Sequence, residues 1–239
     1  MPGLLALVAH PDDEFFCGGL LAALTSRNVP VHLVYWTRGE GAGSFRRRWF
    51  WQCFPRGWRP RVREARKVAA LLPASSLDFL GGVDPAPDPD LRAPADETPV
   101  VIGKLSQLFS RHAPEMMVTH GSDGEYGHPA HSRLNWIARE FLADSDSCPL
   151  ISFAAELNPP PPVHFLNRSD SADFILDALP YQEQKRKIVL AHRSQAGVLE
   201  SLADGTLDGL LHLSRFEGYH CWGEQAPALE KLQRWTGQV

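Results

Sequence analysis

Leu4-Leu5-Ala6-Leu7-Val8-Ala9-His10-Pro11-Asp12-Asp13-Glu14 sets an unbroken apolar run against an imidazole and three carboxylates. Such a run, with no polar alternation, reads as a strand buried on both faces. The polar residues then stand at its carboxyl end, where the chain turns into the apolar stretch Phe15 to Leu24. Burying this charge cluster is costly unless something cationic neutralises it, and a divalent metal ion is the simplest neutraliser.

Working outward, Phe15 to Arg27 reads as a helix and Val31 to Trp36 as a second strand, ending in Thr37-Arg38-Gly39-Glu40-Gly41. Strand, helix and strand within this length make a βαβ unit, whose crossover is right-handed. A helix over Arg61 to Leu72, a strand over Leu77 to Leu80, a proline-rich loop, a helix over Val100 to Arg111 and a strand over Glu115 to Thr119 continue the alternation. Next comes His120-Gly121-Ser122-Asp123-Gly124-Glu125-Tyr126-Gly127-His128-Pro129-Ala130-His131, then a helix over Ser132 to Ala143. The pattern predicts an α/β fold: a mostly parallel sheet with helices on both faces. After residue 150 it is less regular, with strands expected at Ile151 to Leu157, Val163 to Leu166 and Leu211 to Leu213, and a helix at Tyr181 to Gln195. A single domain over residues 1–239 is expected, with 150–239 on the substrate side.

The chain has 239 residues, 44% hydrophobic and 22% charged, and a formal net charge of -4, which argues against a nucleic-acid partner. The N-terminus lacks a basic start and no apolar run reaches membrane-spanning length, so neither a signal peptide nor a transmembrane segment is expected. Cys17, Cys53, Cys148 and Cys221 form no C-x-x-C pair, which suits free thiols in a reducing cytoplasm. Residues 44–60 hold Arg46-Arg47-Arg48-Trp49-Phe50-Trp51 and further Arg and Trp. They read either as a surface loop packed on the domain or as a lid whose aromatics stack on sugars and whose arginines hold anions.

Ligands bind beyond the carboxyl ends of strands in an open α/β sheet, and both polar clusters lie at such ends. His10 and Asp13 are three apart, as are His128 and His131, so each pair shares a face where a helix begins. Spacing alone offers His10, Asp13, His128 and His131 as candidate ligands. Three such ligands with a water describe a catalytic zinc site. Two alternatives remain open: a non-haem iron oxygenase using a two-histidine, one-carboxylate set, and a non-catalytic binding module.

The two clusters, with Thr37-Arg38-Gly39-Glu40-Gly41, Arg61-x-x-Glu64 and Ala191-His192-Arg193-Ser194-Gln195 in that order, resemble the LmbE/PIG-L family of metal-dependent N-deacetylases. The resemblance implies a Rossmann-like sheet and hydrolysis of an acetamide on an N-acylated amino sugar or glycoconjugate. It makes His10, Asp13 and His131 the ligands of Zn2+, with Fe2+ as an alternative. It makes Asp12 the general base, His128 the oxyanion-stabilising or acid group, and Tyr126 a carbonyl-polarising donor. Arg61 and Asp84 become candidates for substrate contacts, and His192 either joins them or stands behind the site. As plainer readings, Arg61 and Glu64 form a surface ion pair, Asp84 is a turn residue, and His192 caps a helix end. Ala130 departs from the family, which most often has an acidic or amide residue there. His112, His164, His212 and His220 read as structural. A homo-oligomer is compatible with the sequence.

Overall fold

In a computed structural model of the chain, residues 3–41, 60–85, 91–95, 98–143 and 148–238 are described. Of residues 44–60, read as either a packed surface loop or a lid, 44–59 lie outside them, while Pro60 opens a helix.

Strand β1 (Leu4–Val8) leads through a 3-10 turn (Asp13–Cys17) into α1 (Gly18–Ser26) and β2 (Val31–Thr37). Next come α2 (Pro60–Leu71), β3 (Ser76–Gly82), α3 (Thr98–His112), β4 (Met116–Thr119), α4 (Pro129–Leu142) and β5 (Leu150–Phe153). The main sheet has seven strands in the order β3-β2-β1-β4-β5-β9-β8, where β8 is Phe174–Asp177 and β9 is Phe216–Trp222. The first five run parallel, and β9 and β8 close the edge antiparallel. Ala6 pairs with Leu33 of β2 on one side and Val118 of β4 on the other. The order therefore reverses between β1 and β4, the point where such sheets leave a crevice.

Burial explains the uninterrupted apolar run. Leu4, Ala6 and Val8 face a core with Leu20 and Leu24 of α1, and Ile188 of α5 (Gln182–Ala191). Leu5, Leu7 and Ala9 face a second core with Leu105 of α3 and Leu134 of α4. Both alternating sets of β1 are thus covered.

The last third corrects several expectations. Val163–Leu166 is not a strand; β6 (Ala155–Glu156) pairs instead with β7 (Asn167–Ser171). Leu211 to Leu213 lies in a helix, α7 (Leu207–Leu213), which follows the short α6 (Ala196–Ser201). Thr206 caps α7, its Oγ accepting the Gly209 N–H at 3.0 Å, and a three-residue apolar run does not distinguish strand from helix. Helix α5 ends at Ala191 rather than Gln195, and α8 (Gln225–Thr236) was not expected. Helix α4 starts three residues before the expected position, with His128 as its cap and Pro129 in its first turn.

Candidate active site and metal centre

The two polar clusters meet at the β1/β4 crevice. Ala9 N–H donates to His120 Nε2 at 2.9 Å, joining the two strand ends across 111 residues of sequence. His10 N–H donates to Asp13 Oδ2 at 2.7 Å, folding the loop back on itself. Between them Asp12 holds φ 124, a region L-residues rarely occupy and which is associated with functional sites.

Three atoms form a nearly equilateral triangle. His10 Nδ1 lies 3.2 Å from Asp13 Oδ2 and 3.3 Å from His131 Nε2, and the last two are 3.4 Å apart. Donors on tetrahedral arms of about 2.0–2.1 Å stand roughly 3.3–3.4 Å apart. All three residues are buried. The donor set and spacing therefore fit a divalent ion, with one face of the tetrahedron supplied by the protein. His128 and His120 also lie close enough to be grouped with these residues. However, His120 Nε2 accepts the Ala9 N–H, and His128 Nδ1 accepts the Ala130 N–H at 3.2 Å, so each has one ring nitrogen already engaged.

Outer groups orient the three. Glu125 Oε2 meets His131 Nδ1 at 2.6 Å and His120 Nδ1 at 2.9 Å, while its Oε1 accepts the Gly121 N–H at 2.9 Å. Burial would raise the Glu125 pKa, but His120 and His131 pull it down to about 2. A carboxylate behind a ligating histidine fixes the ring tautomer and its direction. Neither His120 nor Glu125 was given a role from sequence; their only signal was membership of the cluster at the end of β4. On the other side, His10 Nε2 lies 3.3 Å from Asp84 Oδ1, and Asp84 Oδ2 accepts the Gly41 N–H at 3.1 Å. Asp84 thus backs His10 rather than standing as an isolated turn residue.

Asp12 is not part of the triangle. Its carboxylate meets the Arg61 guanidinium, whose Nε also donates to Pro11 O at 3.1 Å. Gly39 (φ 69) permits this approach, since a Cβ there would sit 2.6 Å from the guanidinium. The Arg61–Glu64 surface pair is therefore a misreading. Both residues are buried, Arg61 faces Asp12, and Glu64 accepts from Ser194 N–H at 3.0 Å and Ser194 Oγ–H at 2.6 Å. Burial raises the Asp12 pKa to about 6, against the pull of Arg61. His192 is wholly buried with Nε2 against Glu14, so it is placed to support the loop and not to touch a ligand in the cleft.

His128 and Tyr126 border the opening. The His128 ring lies 4.9 Å from His10 and stacks on His131 at 4.4 Å, while Tyr126 stands edge-on to both His128 and His131 and is 38% exposed. Burial and the neighbouring imidazoles of His131 and His10 lower the His128 pKa to about 3. Ala130 carries no polar group towards His128 and is buried in the core beneath α4. Of the histidines read as structural, His112 stacks on His32 at 4.0 Å and His220 meets Asp173 at 3.0 Å.

A family model described as PIG-L, GlcNAc-PI de-N-acetylase, matches residues 5–142, more than half of the chain and both polar clusters. The chain belongs to the PIG-L family. Relatives of this PIG-L chain include a 1D-myo-inositol 2-acetamido-2-deoxy-alpha-D-glucopyranoside deacetylase of Corynebacterium diphtheriae, 32% identical over 170 residues, covering 59% of this chain and 53% of the relative. A protein of the same description from Saccharopolyspora erythraea is 34% identical, covering 56% and 51%. The chain thus spans about half the length of the curated relatives it matches. Among solved structures, an N,N'-diacetylchitobiose deacetylase from Pyrococcus horikoshii superposes with a TM-score of 0.61 at 17% identity, covering 96% of this chain and 85% of that one. A 4-carboxy-2-hydroxymuconate hydratase from Pseudomonas putida gives 0.62 at 19%, covering 94% and 97%. At such identities the likeness establishes the PIG-L fold, and that fold alone does not select the reaction. Among the described residues no helix is long and apolar enough to cross a membrane. Cys17, Cys148 and Cys221 are free and buried.

Proposed function

We propose that this PIG-L protein hydrolyses the acetamide of an N-acetylated amino sugar or glycoconjugate, giving acetate and a free amine, with zinc as its metal. The observation that carries the reading is an unligated carboxylate, Asp12, next to a three-donor triangle formed by His10, Asp13 and His131. The names of the curated relatives support the acetamido-sugar class.

His10, Asp13 and His131 would hold the zinc ion, which would supply Lewis acidity and lower the pKa of water. Asp12 takes the proton of the attacking water and returns it to the leaving nitrogen as the C–N bond breaks. Arg61 keeps the Asp12 carboxylate aimed and anionic. His128 receives the Ala130 N–H on Nδ1, which leaves the proton of its neutral ring on Nε2. It therefore donates to the oxygen on which negative charge develops, rather than serving as the acid. Tyr126, beside it at the opening, supplies a second donor, its hydroxyl. His120, Glu125 and Glu14, which stand behind this loop and triangle, are buried.

The test is a panel of N-acylated amino sugars scored for released amine, with chelator and with zinc restored. Amine release confined to acetamides, lost with chelator and regained with zinc, supports the reading. Oxygen uptake by iron-loaded protein would favour the oxygenase alternative. A protein purified without chelator that holds no metal would favour a binding module.

A further inference from the structure

We infer that Glu14 is a positioning residue for Asp12, holding the backbone of the base in its strained conformation, with His192 as the buried partner that fixes Glu14. The inference rests on reading Asp12 as the base.

Asp12 is fixed at two points. Arg61 grips its carboxylate, and Glu14 Oε2 accepts its backbone N–H at 2.9 Å. The second contact acts on the residue at φ 124, a conformation that persists only where surrounding contacts over-determine it. The other oxygen of Glu14 meets His192 Nε2. Both side chains have no exposed surface, so the pair touches nothing that enters the cleft. A buried carboxylate with no partner would be expensive, and here one imidazole and one amide satisfy it. His192 itself is tied down. Its N–H donates to Ile188 O at 3.2 Å and its carbonyl accepts from Gln195 N–H at 2.8 Å. Two residues on, Ser194 is held by Glu64, which lies one helical turn from Arg61 on α2. The segment after α5 thus reaches the base through Glu14, and α2 reaches it through Arg61. None of these residues belongs to the triangle that fits a metal.

The test compares wild type with Glu14→Gln, Glu14→Ala and His192→Ala, each measured for bound zinc, kcat and KM on an acetamido sugar, and for the Asp12 backbone in a crystal structure. Glu14→Ala is expected to keep stoichiometric zinc and an unchanged KM while kcat falls roughly 10- to 100-fold, the penalty of a misplaced reacting group. Glu14→Gln, whose amide oxygen still accepts the Asp12 N–H, is expected to recover most of that loss. In Glu14→Ala, Asp12 should leave φ near 124. Wild-type kcat per bound zinc, an unmoved Asp12, or kcat lost only in step with zinc would each overturn the inference. If Glu14→Ala does not fold, His192→Ala decides by the same criteria. A wild type that releases no amine sinks the deacetylase reading instead, and the Asp12 backbone in the variants still decides this one.

Discussion

Glu125 Oε2 and His131 Nδ1 are joined at 2.6 Å in a pocket where neither side chain has any exposed surface. The contact fixes which nitrogen of His131 faces His10 and Asp13. Glu125→Ala should therefore weaken zinc binding by roughly 10- to 100-fold without removing a ligand. A competition titration against a chelating dye measures this, and affinity within twofold of wild type would show that the pair is dispensable.

Asp12 stands outside the triangle and beside Arg61. Asp12→Asn should keep full zinc content while turnover of an acetamido sugar drops by about 10²–10⁴. Metal analysis alongside initial rates separates the two effects. Wild-type turnover in Asp12→Asn would remove the base from the mechanism.

Spacing offers His128 as a candidate ligand, and the family resemblance offers it as the oxyanion-stabilising or acid group. With Nδ1 accepting the Ala130 N–H, the donor reading predicts that His128→Ala retains zinc and loses about 10²–10³ in kcat. Loss of zinc in this variant, at preserved fold by circular dichroism, would make His128 a ligand after all.

At the opposite end of β2, His32 stacks on His112 and hydrogen-bonds Ser76 Oγ at 2.9 Å. Burial, with the adjacent His112, lowers the His32 pKa to about 4 from 6.5. The unfolded chain therefore binds a proton that the folded chain refuses between these values. The stabilisation is fully present above pH 6.5 and is lost as pH falls towards 4, by on the order of 1–2 kcal/mol once discounted for solvent screening of the ring. Urea unfolding at pH 7.5 and pH 5 should show a smaller acid-side loss for His32→Gln than for wild type. Equal losses would assign the acid sensitivity elsewhere.

Lys185 is buried with Nζ 2.7 Å from Glu217 Oε1 and 2.9 Å from Ser214 O. Glu217 also accepts the N–H groups of Gly19 and Leu20 at the start of α1. Lys185→Ala should destabilise by about 3–5 kcal/mol, because it strands a buried carboxylate. The drop in denaturant midpoint measures it, and a change below about 1 kcal/mol would contradict the buried-pair account.

The parallel half of the sheet was legible because β1, β2 and β4 are buried along their whole length, so β1 is an unbroken apolar run, β4 is apolar up to its last residue, Thr119, and His32 alone interrupts the run Val31 to Trp36 in β2. The site was legible where its atoms come from short spacings, His10 with Asp13 and His128 with His131. Contacts across the sheet were not. Glu125 reaches His120 and His131 through a loop whose backbone at Glu125 is left-handed (φ 60), which no spacing rule foresees. His192 and Glu14 are 178 residues apart, and sequence offers no register between them. Strand β7 is polar, Asn-Arg-Ser-Asp-Ser, and takes its order from pairing rather than composition. Strand β8 did carry a signal, buried Phe174 and Leu176 flanking exposed Ile175, but four residues are too few to weigh against its polar surroundings.

Glu217 spans almost the whole chain to close the amides that open α1, and it does so from β9, far beyond the residues that match the family model. Recombining this protein with a homologue after residue 142 would keep every candidate ligand yet sever that tie. Viable chimeras should be those whose donor half brings an acid to the same spot, so exchange among homologues is fenced by one carboxylate remote from the chemistry.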